Sequence, residues 1–250
     1  MLSPVFGSPR QWPAQDLIGF SEEFDAALAL EAYRAGVFPM PIDAYSDDMG
    51  WWSPMRRGVL NPHDVHVTRS LRKSARRHRT TVDYAFDRVI AACSDSSRPG
   101  AWIDERIQEV YRTLHRQGHV HSVEVWDVDG HLVGGLYGVH QGGLFAGESM
   151  FHDDQRGRDA SKVALLRLAV ELLGVGVTLL DVQWLTDHLG TLGCYEISRD
   201  AYLRRLSLAL ERPTLPWTPS AESWLSGTDL LDRWDTRAAS VATEKETHHA

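Results

Sequence analysis

Cysteine is nearly absent: Cys93 and Cys194 are the two thiols of a 250-residue chain, and they form no C-x-x-C pair. That excludes a disulfide framework and a thiolate metal cluster, and it suits a reducing compartment, so a cytoplasmic protein is expected. Long hydrophobic runs are missing too. The longest apolar stretch, residues 163–180, is interrupted by Arg167 and Glu171 and falls short of the roughly 20 apolar residues of a membrane span. The first twenty residues have neither a basic start nor an apolar run, so no leader is expected. Nor is there an excess of positive charge. With 26 Lys plus Arg against 34 Asp plus Glu, the formal net charge is -8, which excludes a basic coat for indiscriminate nucleic-acid binding. What is present, 43% hydrophobic and 24% charged residues, describes a globular chain of one large or two modest domains.

The charge is unevenly placed. Residues 65–82 contain Arg69, Arg72, Lys73, Arg76, Arg77 and Arg79 and no acid. Arginine forks match phosphate oxygens, so this run on an otherwise acidic chain favours a nucleic-acid contact over a merely solvated helix. Thr68 stands where a cap belongs, and the spacing predicts a helix over about 68–79.

Helical spacing from Phe24 ends at Gly36, and residues 37–62, with Pro39, Pro41, Pro54 and Pro62 around Trp51 and Trp52, read as an ordered loop. Those two tryptophans either cover a small N-terminal core or offer a stacking surface to a planar ligand. Short helical patterns follow at 83–92 and from Asp104 to Gly118. The period then switches to alternation: 121–126, 132–139 and 144–150 read as an antiparallel meander with turns at Asp129-Gly130 and Gln141-Gly142-Gly143. A helix over 161–174, an apolar strand over 177–182, a short helix at 186–192, a short strand at 195–197 and a helix over 199–211 complete the pattern. The order is α+β with a central mixed sheet, compatible with an acyltransferase-type fold. Expected boundaries are a small N-terminal domain over 1–64, a catalytic domain over 65–212, and a tail over 213–250 that either docks or is disordered.

Asp181 and Gln183 lie two apart in an apolar strand and leave on one face, and Glu148 is the one charge in its own strand. An unpaired acid inside an apolar strand is costly, so each must be paired, hydrogen-bonded or turned to a cleft. Other chemistries fall away. Gly147-Glu148-Ser149-Met150-Phe151 lacks the second glycine of a G-x-S-x-G elbow. His115, His119 and His121 are divided by Gly118 with no convincing fourth ligand. Cys194 sits in apolar company. The segment 155–160 lacks the Q/R-x-x-G-x-G/A spacing of acetyl-CoA-dependent acetyltransferases. No metal or cofactor is expected.

Taken together, Ala32-Tyr33-Arg34-Ala35-Gly36-Val37-Phe38-Pro39, Trp51-Trp52-Ser53-Pro54, His121-Ser122-Val123-Glu124-Val125-Trp126, Gly134-Gly135-Leu136-Tyr137-Gly138-Val139, Phe145-Ala146-Gly147-Glu148-Ser149-Met150-Phe151, Ala160-Ser161-Lys162, Leu180-Asp181-Val182-Gln183 and Asp187-His188-Leu189 resemble the leucyl/phenylalanyl-tRNA protein transferase family over about residues 28–206. The resemblance implies a small N-terminal domain and an acetyltransferase-like domain that takes aminoacyl-tRNA in place of acetyl-CoA. It implies a cytoplasmic enzyme, expected to be a monomer, that moves Leu or Phe, and less well Met, from Leu-tRNA or Phe-tRNA to proteins beginning with Arg or Lys, whose products enter N-degron degradation.

On matching positions the resemblance implies Asp181 and Gln183 as the catalytic pair and Glu148 as the active-site acid. The chemistry expected of them is that Gln183 positions amine and carbonyl while Asp181 orients Gln183 and holds the incoming ammonium. Leu136, Phe145, Leu165, Leu168 and Leu180 fall on the aminoacyl pocket. Tyr33, Trp102 and Tyr111 fall near the aminoacyl-adenosine end, and Arg69, Arg72, Lys73, Arg76 and Arg77 would hold the acceptor stem. The family usually stacks a tryptophan on the terminal adenine where this chain has Met40, so Met40, Trp51 or Trp52 is left to cover it. The family's L-L-A-x-G-G stretch is replaced by Leu17-Ile18-Gly19-Phe20-Ser21-Glu22-Glu23. The competing readings are a tRNA or N-degron binding protein without transfer activity and an acyl-CoA-dependent acyltransferase.

Overall fold

The computed structural model describes residues 5–43, 48–98, 101–217 and 224–247. Its N-terminal part contains β1 (Leu17–Ser21), α1 (Ala26–Ala35), β2 (Phe38–Pro41) and β3 (Met49–Trp52), with the strands in an antiparallel sheet of order β1-β3-β2. Then follow β4 (Arg56–Leu60), α2 (Arg69–Ala75), β5 (Arg79–Val82), α3 (Phe86–Cys93), α4 (Glu105–Arg116), β6 (Val120–Trp126), β7 (Leu132–Gln141) and β8 (Leu144–His152). The chain continues through α5 (Ala160–Gly174), β9 (Leu179–Gln183), α6 (Asp187–Thr191), β10 (Tyr195–Ser198), α7 (Arg199–Leu210), β11 (Leu225–Ser226) and α8 (Gly227–Thr247). Strands β4 to β11 form one sheet of order β10-β4-β9-β8-β7-β6-β5-β11, in which β8–β9 is the parallel pair. It is a mixed α/β structure on a mixed sheet.

Capping explains several helix limits. Asp25 accepts from Leu28 N and starts α1, which stops at Gly36 in the left-handed region; Asp104 accepts from Ile107 N and starts α4. The expected loop over 37–62 is corrected to three strands. Its prolines mislead because Pro39 and Pro41 sit in β2, an edge strand of the small sheet, where a missing N–H leaves no ladder bond unmade. Strand β4 already belongs to the large sheet, so the division between the sheets falls between Trp52 and Arg56, ahead of the expected boundary at 64. The expected helix over 68–79 closes at Ala75. Arg76 and Arg77 turn, and Arg79 enters β5 with the β-favouring Thr80, Thr81 and Val82. Part of the tail is ordered: β11 pairs with β5, and α8 follows.

Side chains from alternate strand positions feed two cores, one on each face of the large sheet. Leu136, Phe145 and Leu180 pack with α2, α5 and α8, whereas Tyr137, Ala146 and Leu179 pack with α1, α3, α4 and α7. The parallel pairing of β8 with β9 runs through Leu144–Leu179, Phe145–Leu180 and Ala146–Asp181 and then stops. Just past that point both strands carry an extra residue. Tyr137 pairs with Ser149 and Gly138 with Gly147, leaving Glu148 as the bulge on β8; Val59 pairs with Asp181 and Gly58 with Gln183, leaving Val182 as the bulge on β9. Two bulges on strands that part re-aim their side chains into the gap between them.

Candidate active site

The gap holds a cavity of about 120 Å³ lined on its apolar side by Leu136, Met150, Leu165, Leu168, Leu180 and Val182, with Glu148 and Gln183 at its polar end. Four of the five residues expected at an apolar pocket line it. Phe145 does not: it lies before the strands part, is fully buried, and packs against Trp217 at a centroid distance of 5.7 Å.

Asp181 is completely buried, and its two oxygens are filled from within the protein. Arg57 Nε donates to Oδ1 at 2.8 Å and Arg57 Nη2 to Oδ2 at 2.6 Å, while the Tyr202 hydroxyl donates to Oδ2 at 2.8 Å and the Gln183 backbone N–H to Oδ1 at 3.0 Å. The expectation that Asp181 holds the incoming ammonium is therefore corrected, because its charge is matched by Arg57 and it has no exposed surface. Its link to Gln183 is through the backbone, not the side chain. That bond helps to fix Gln183 at φ 57, a left-handed conformation that costs a side-chain-bearing residue of order 1 kcal/mol. Gly58 makes the turn possible: a Cβ there would lie 3.0 Å from Leu185 N and from Val182 Cγ2.

Glu148 is half-buried. Tyr33 and Tyr111 share a 2.5 Å hydrogen bond, the Tyr111 hydroxyl donates to Glu148 Oε2 at 2.9 Å, and Gln183 Nε2 faces Oε1 at 3.4 Å. Burial pushes the Glu148 carboxyl up to about 8; the tyrosine hydrogen bonds and Arg57 oppose that rise, and the charge of Asp181 adds to it. Tyr33, Tyr111 and Tyr137 are all held well above the usual phenol range, first by burial and then by the charge of Glu148. All three phenols stay protonated, and the hydroxyl that donates to the carboxyl is that of Tyr111.

The expected aromatics divide by strand alternation. Trp51 is buried in the small N-terminal core, donating to Ser21 Oγ at 2.9 Å with Phe6 edge-on at 5.1 Å, so it is not a surface for a base. Trp52 leaves on the opposite face and stands edge-on to Trp184 at 5.7 Å, next in sequence to Gln183. Met40 is half-buried, and its carbonyl accepts from Trp52 Nε1 at 2.9 Å. Trp102 is half-buried against the core that contains Tyr33 and Tyr111. Of the expected basic set, Arg69, Lys73, Arg76 and Arg77 are exposed. Arg72 differs: its guanidinium is engaged by Asp235 of α8 through bonds of 2.9 and 2.6 Å.

Sequence reasoning missed Arg57, Tyr202 and Trp184. Arg57 is 1% exposed and lies over the rings of Phe38 and Tyr202 at 4.8 and 4.4 Å; burial works against its charge, and Asp181 more than offsets that penalty and holds it firmly protonated. A charged residue opening the apolar run Gly58-Val59-Leu60 was a signal of the kind that singled out Glu148.

Residues 59–207 match the family model described as leucyl/phenylalanyl-tRNA protein transferase, and residues 22–55 match that of its N-terminal domain. Among curated relatives, a leucyl/phenylalanyl-tRNA protein transferase of Rhizorhabdus wittichii is 48% identical over 190 residues, 74% of this chain and 75% of the relative. One from Salmonella arizonae is 43% identical over 207 residues, covering 81% and 86% of the two chains. One from Anaeromyxobacter dehalogenans is 44% identical over 217 residues, covering 85% and 91%.

Proposed function

Since the chain belongs to the leucyl/phenylalanyl-tRNA protein transferase family and is an aminoacyl-tRNA protein transferase, we propose that it moves Leu or Phe, and less well Met, from charged tRNA to proteins with an N-terminal Arg or Lys. The observation that carries this reading is the apolar cavity that ends on Glu148 and Gln183. The reading includes an acetyltransferase-like catalytic domain, supported by the parallel strand pair that parts at the site. It also includes a monomer acting in the cytoplasm, with products that enter N-degron degradation. Among the described residues no helix is long and apolar enough to cross a membrane.

The reaction is aminolysis of an ester. The acceptor's neutral α-amine attacks the aminoacyl carbonyl carbon, a C–N bond forms, the C–O bond to the ribose breaks, and the amine proton passes to the departing ribose oxygen. Leu136, Leu165, Leu168 and Leu180 take the donor side chain in a dry pocket, which excludes polar aminoacyl groups more strongly than neighbouring apolar ones. Gln183 offers its amide to the carbonyl or the amine as an oxyanion develops. Glu148, whose carboxyl burial pushes up to about 8, takes the ammonium proton or pairs with the cationic acceptor. Asp181 is a positioning residue that holds the Gln183 backbone. The exposed Arg69, Lys73, Arg76 and Arg77 face the acceptor stem, with Tyr33, Tyr111, Trp102, Met40 and Trp52 around the aminoacyl-adenosine end.

Transfer of labelled Leu and Phe from charged tRNA to an Arg-initiated peptide, with an Ala-initiated peptide beside it, tests the reading. Selective labelling of the Arg peptide is expected, and Gln183→Ala is expected to cut turnover far more than tRNA binding. Equal labelling of both peptides, or full turnover in the variant, would remove the assignment.

The pocket makes a separate prediction. Leu168→Phe places a ring in the cavity, so phenylalanyl transfer should fall relative to leucyl transfer by about 10-fold or more, the scale on which apolar pockets sort neighbouring side chains. The ratio from one mixed-donor reaction is independent of how much variant is folded. An unchanged ratio would place the donor side chain elsewhere.

A further inference from the structure

The segment after α7 lies outside both matched stretches, the later of which ends at residue 207, yet part of it is built into the fold. Strand β11 pairs antiparallel with β5 through Leu225–Thr80 and Ser226–Arg79 and becomes the outer strand of the large sheet. Gly227 N–H then donates to His78 O at 2.9 Å, and the chain passes so close to α2 that a Cβ at 227 would lie 1.8 Å from Ala75 O. Only glycine fits there. Helix α8 buries Leu230, Leu231 and Trp234 in the core shared by α2 and α5, and its outer face carries the exposed acids Asp229, Asp232 and Asp235.

This anchoring sets one of those acids on the basic helix. Arg72 Nη1 donates to Asp235 Oδ2 at 2.9 Å and Nη2 to Oδ1 at 2.6 Å, a two-pronged contact of the geometry that a guanidinium also makes with a phosphate. The pair is partly solvated, at 31% and 54% side-chain exposure, so it is screened and displaceable rather than locked.

We propose that Asp235 occupies the fork of Arg72 in place of a nucleic-acid phosphate, so that α8 confines the tRNA footprint of α2 to Arg69, Lys73, Arg76 and Arg77 and weakens binding. The inference rests on the reading that α2 holds tRNA. A guanidinium withheld from phosphate is one counterion fewer released on binding, which makes both affinity and salt dependence readouts of the mask.

The test is tRNA binding by fluorescence anisotropy across a salt series, using the full chain with Asp235→Asn, Arg72→Gln, both together, and Lys73→Gln with Arg76→Gln, melting temperatures measured in parallel. Asp235→Asn should bind more tightly with a salt slope steeper by about 1, so that its gain on going from 200 to 50 mM salt exceeds the wild type's by roughly fourfold. Arg72→Gln should change little in the wild type and should erase the gain in the Asp235→Asn background. Asp235→Ser keeps the experiment decisive should the asparagine amide find a new partner on Arg72. Binding that responds to Lys73→Gln with Arg76→Gln but not to either Asp235 variant would overturn the mask alone. Binding indifferent to the Lys73 and Arg76 changes would overturn the α2 reading and the mask with it.

Discussion

Arg57→Ala is expected to lower the free energy of unfolding by about 3–5 kcal/mol, the cost of leaving a buried charge without its partner, and to abolish transfer. Asp181 is wholly buried and receives two of its four hydrogen bonds from this guanidinium; without it a buried carboxylate loses its counter-charge, and the rearrangement that follows disturbs the bond that fixes Gln183. Arg57 also joins the two parts of the structure. It lies over Phe38, donates to Gly36 O at 3.4 Å, and stands on β4 of the large sheet. Arg57→Lys retains the charge but loses the fork, and an intermediate loss is expected on both readouts. Equilibrium urea unfolding beside single-turnover transfer measures the two.

A double replacement separates structure from chemistry. Arg57→Met with Asp181→Leu removes both charges together, which at buried ion pairs is often neutral or stabilising, so most of the stability lost in Arg57→Ala should return. Transfer should not return, because a leucine side chain at position 181 has no oxygen to accept the Gln183 N–H. Recovery of transfer along with stability would show that the pair serves only the fold and that Gln183 is oriented by other means.

How much of this was visible in the sequence follows from how local each signal is. Glu148, Asp181 and Gln183 stand out because a polar side chain inside an apolar strand is costly wherever the strand runs. Arg57 carries a similar signal but sits in a stretch whose prolines suggest a loop, and its partner is 124 positions away, a pairing that no periodicity reports. Trp51 and Trp52 show the other limit. Once residues 49–52 form a strand, alternation sends the first into the N-terminal core and the second toward Trp184, but the strand itself depends on pairing with β1 and β2. The bulges at Glu148 and Val182 were hidden for the same reason, since a bulge is a relation between two strands. The basic run was plain in the sequence, whereas the acid that covers Arg72 arrives from 163 residues downstream.

Glu148→Gln is expected to cut transfer by about 100-fold or more, the lower end of what a positioned proton acceptor contributes, while making the protein more stable at pH 8. The two effects have one cause. In the folded state the carboxyl titrates at about 8 against an ordinary 4.5, so the folded protein binds this proton more tightly than the unfolded chain does. Below about pH 4.5 both states are protonated and the group's contribution is at its most favourable; as pH rises toward 8 the unfolded chain releases the proton first, and stability is lost across that window. An amide cannot ionise, so the variant keeps what the wild type gives up. Melting temperatures at pH 5.5, 7 and 8.5 without substrates should therefore fall for the wild type and stay flatter for Glu148→Gln, with the gap widest at the alkaline end. Working without substrates matters because the acceptor's α-amine, with an ordinary value of about 8, titrates in the same range and would blur a rate profile. Parallel melting curves would mean that the Glu148 carboxyl is not the group that titrates, and undiminished transfer would remove Glu148 from the chemistry. Under the proposed function this carboxyl, beside Tyr111 and Gln183, takes a proton from the acceptor's ammonium, and a second proton of the attacking amine passes to the ribose oxygen as the C–O bond breaks.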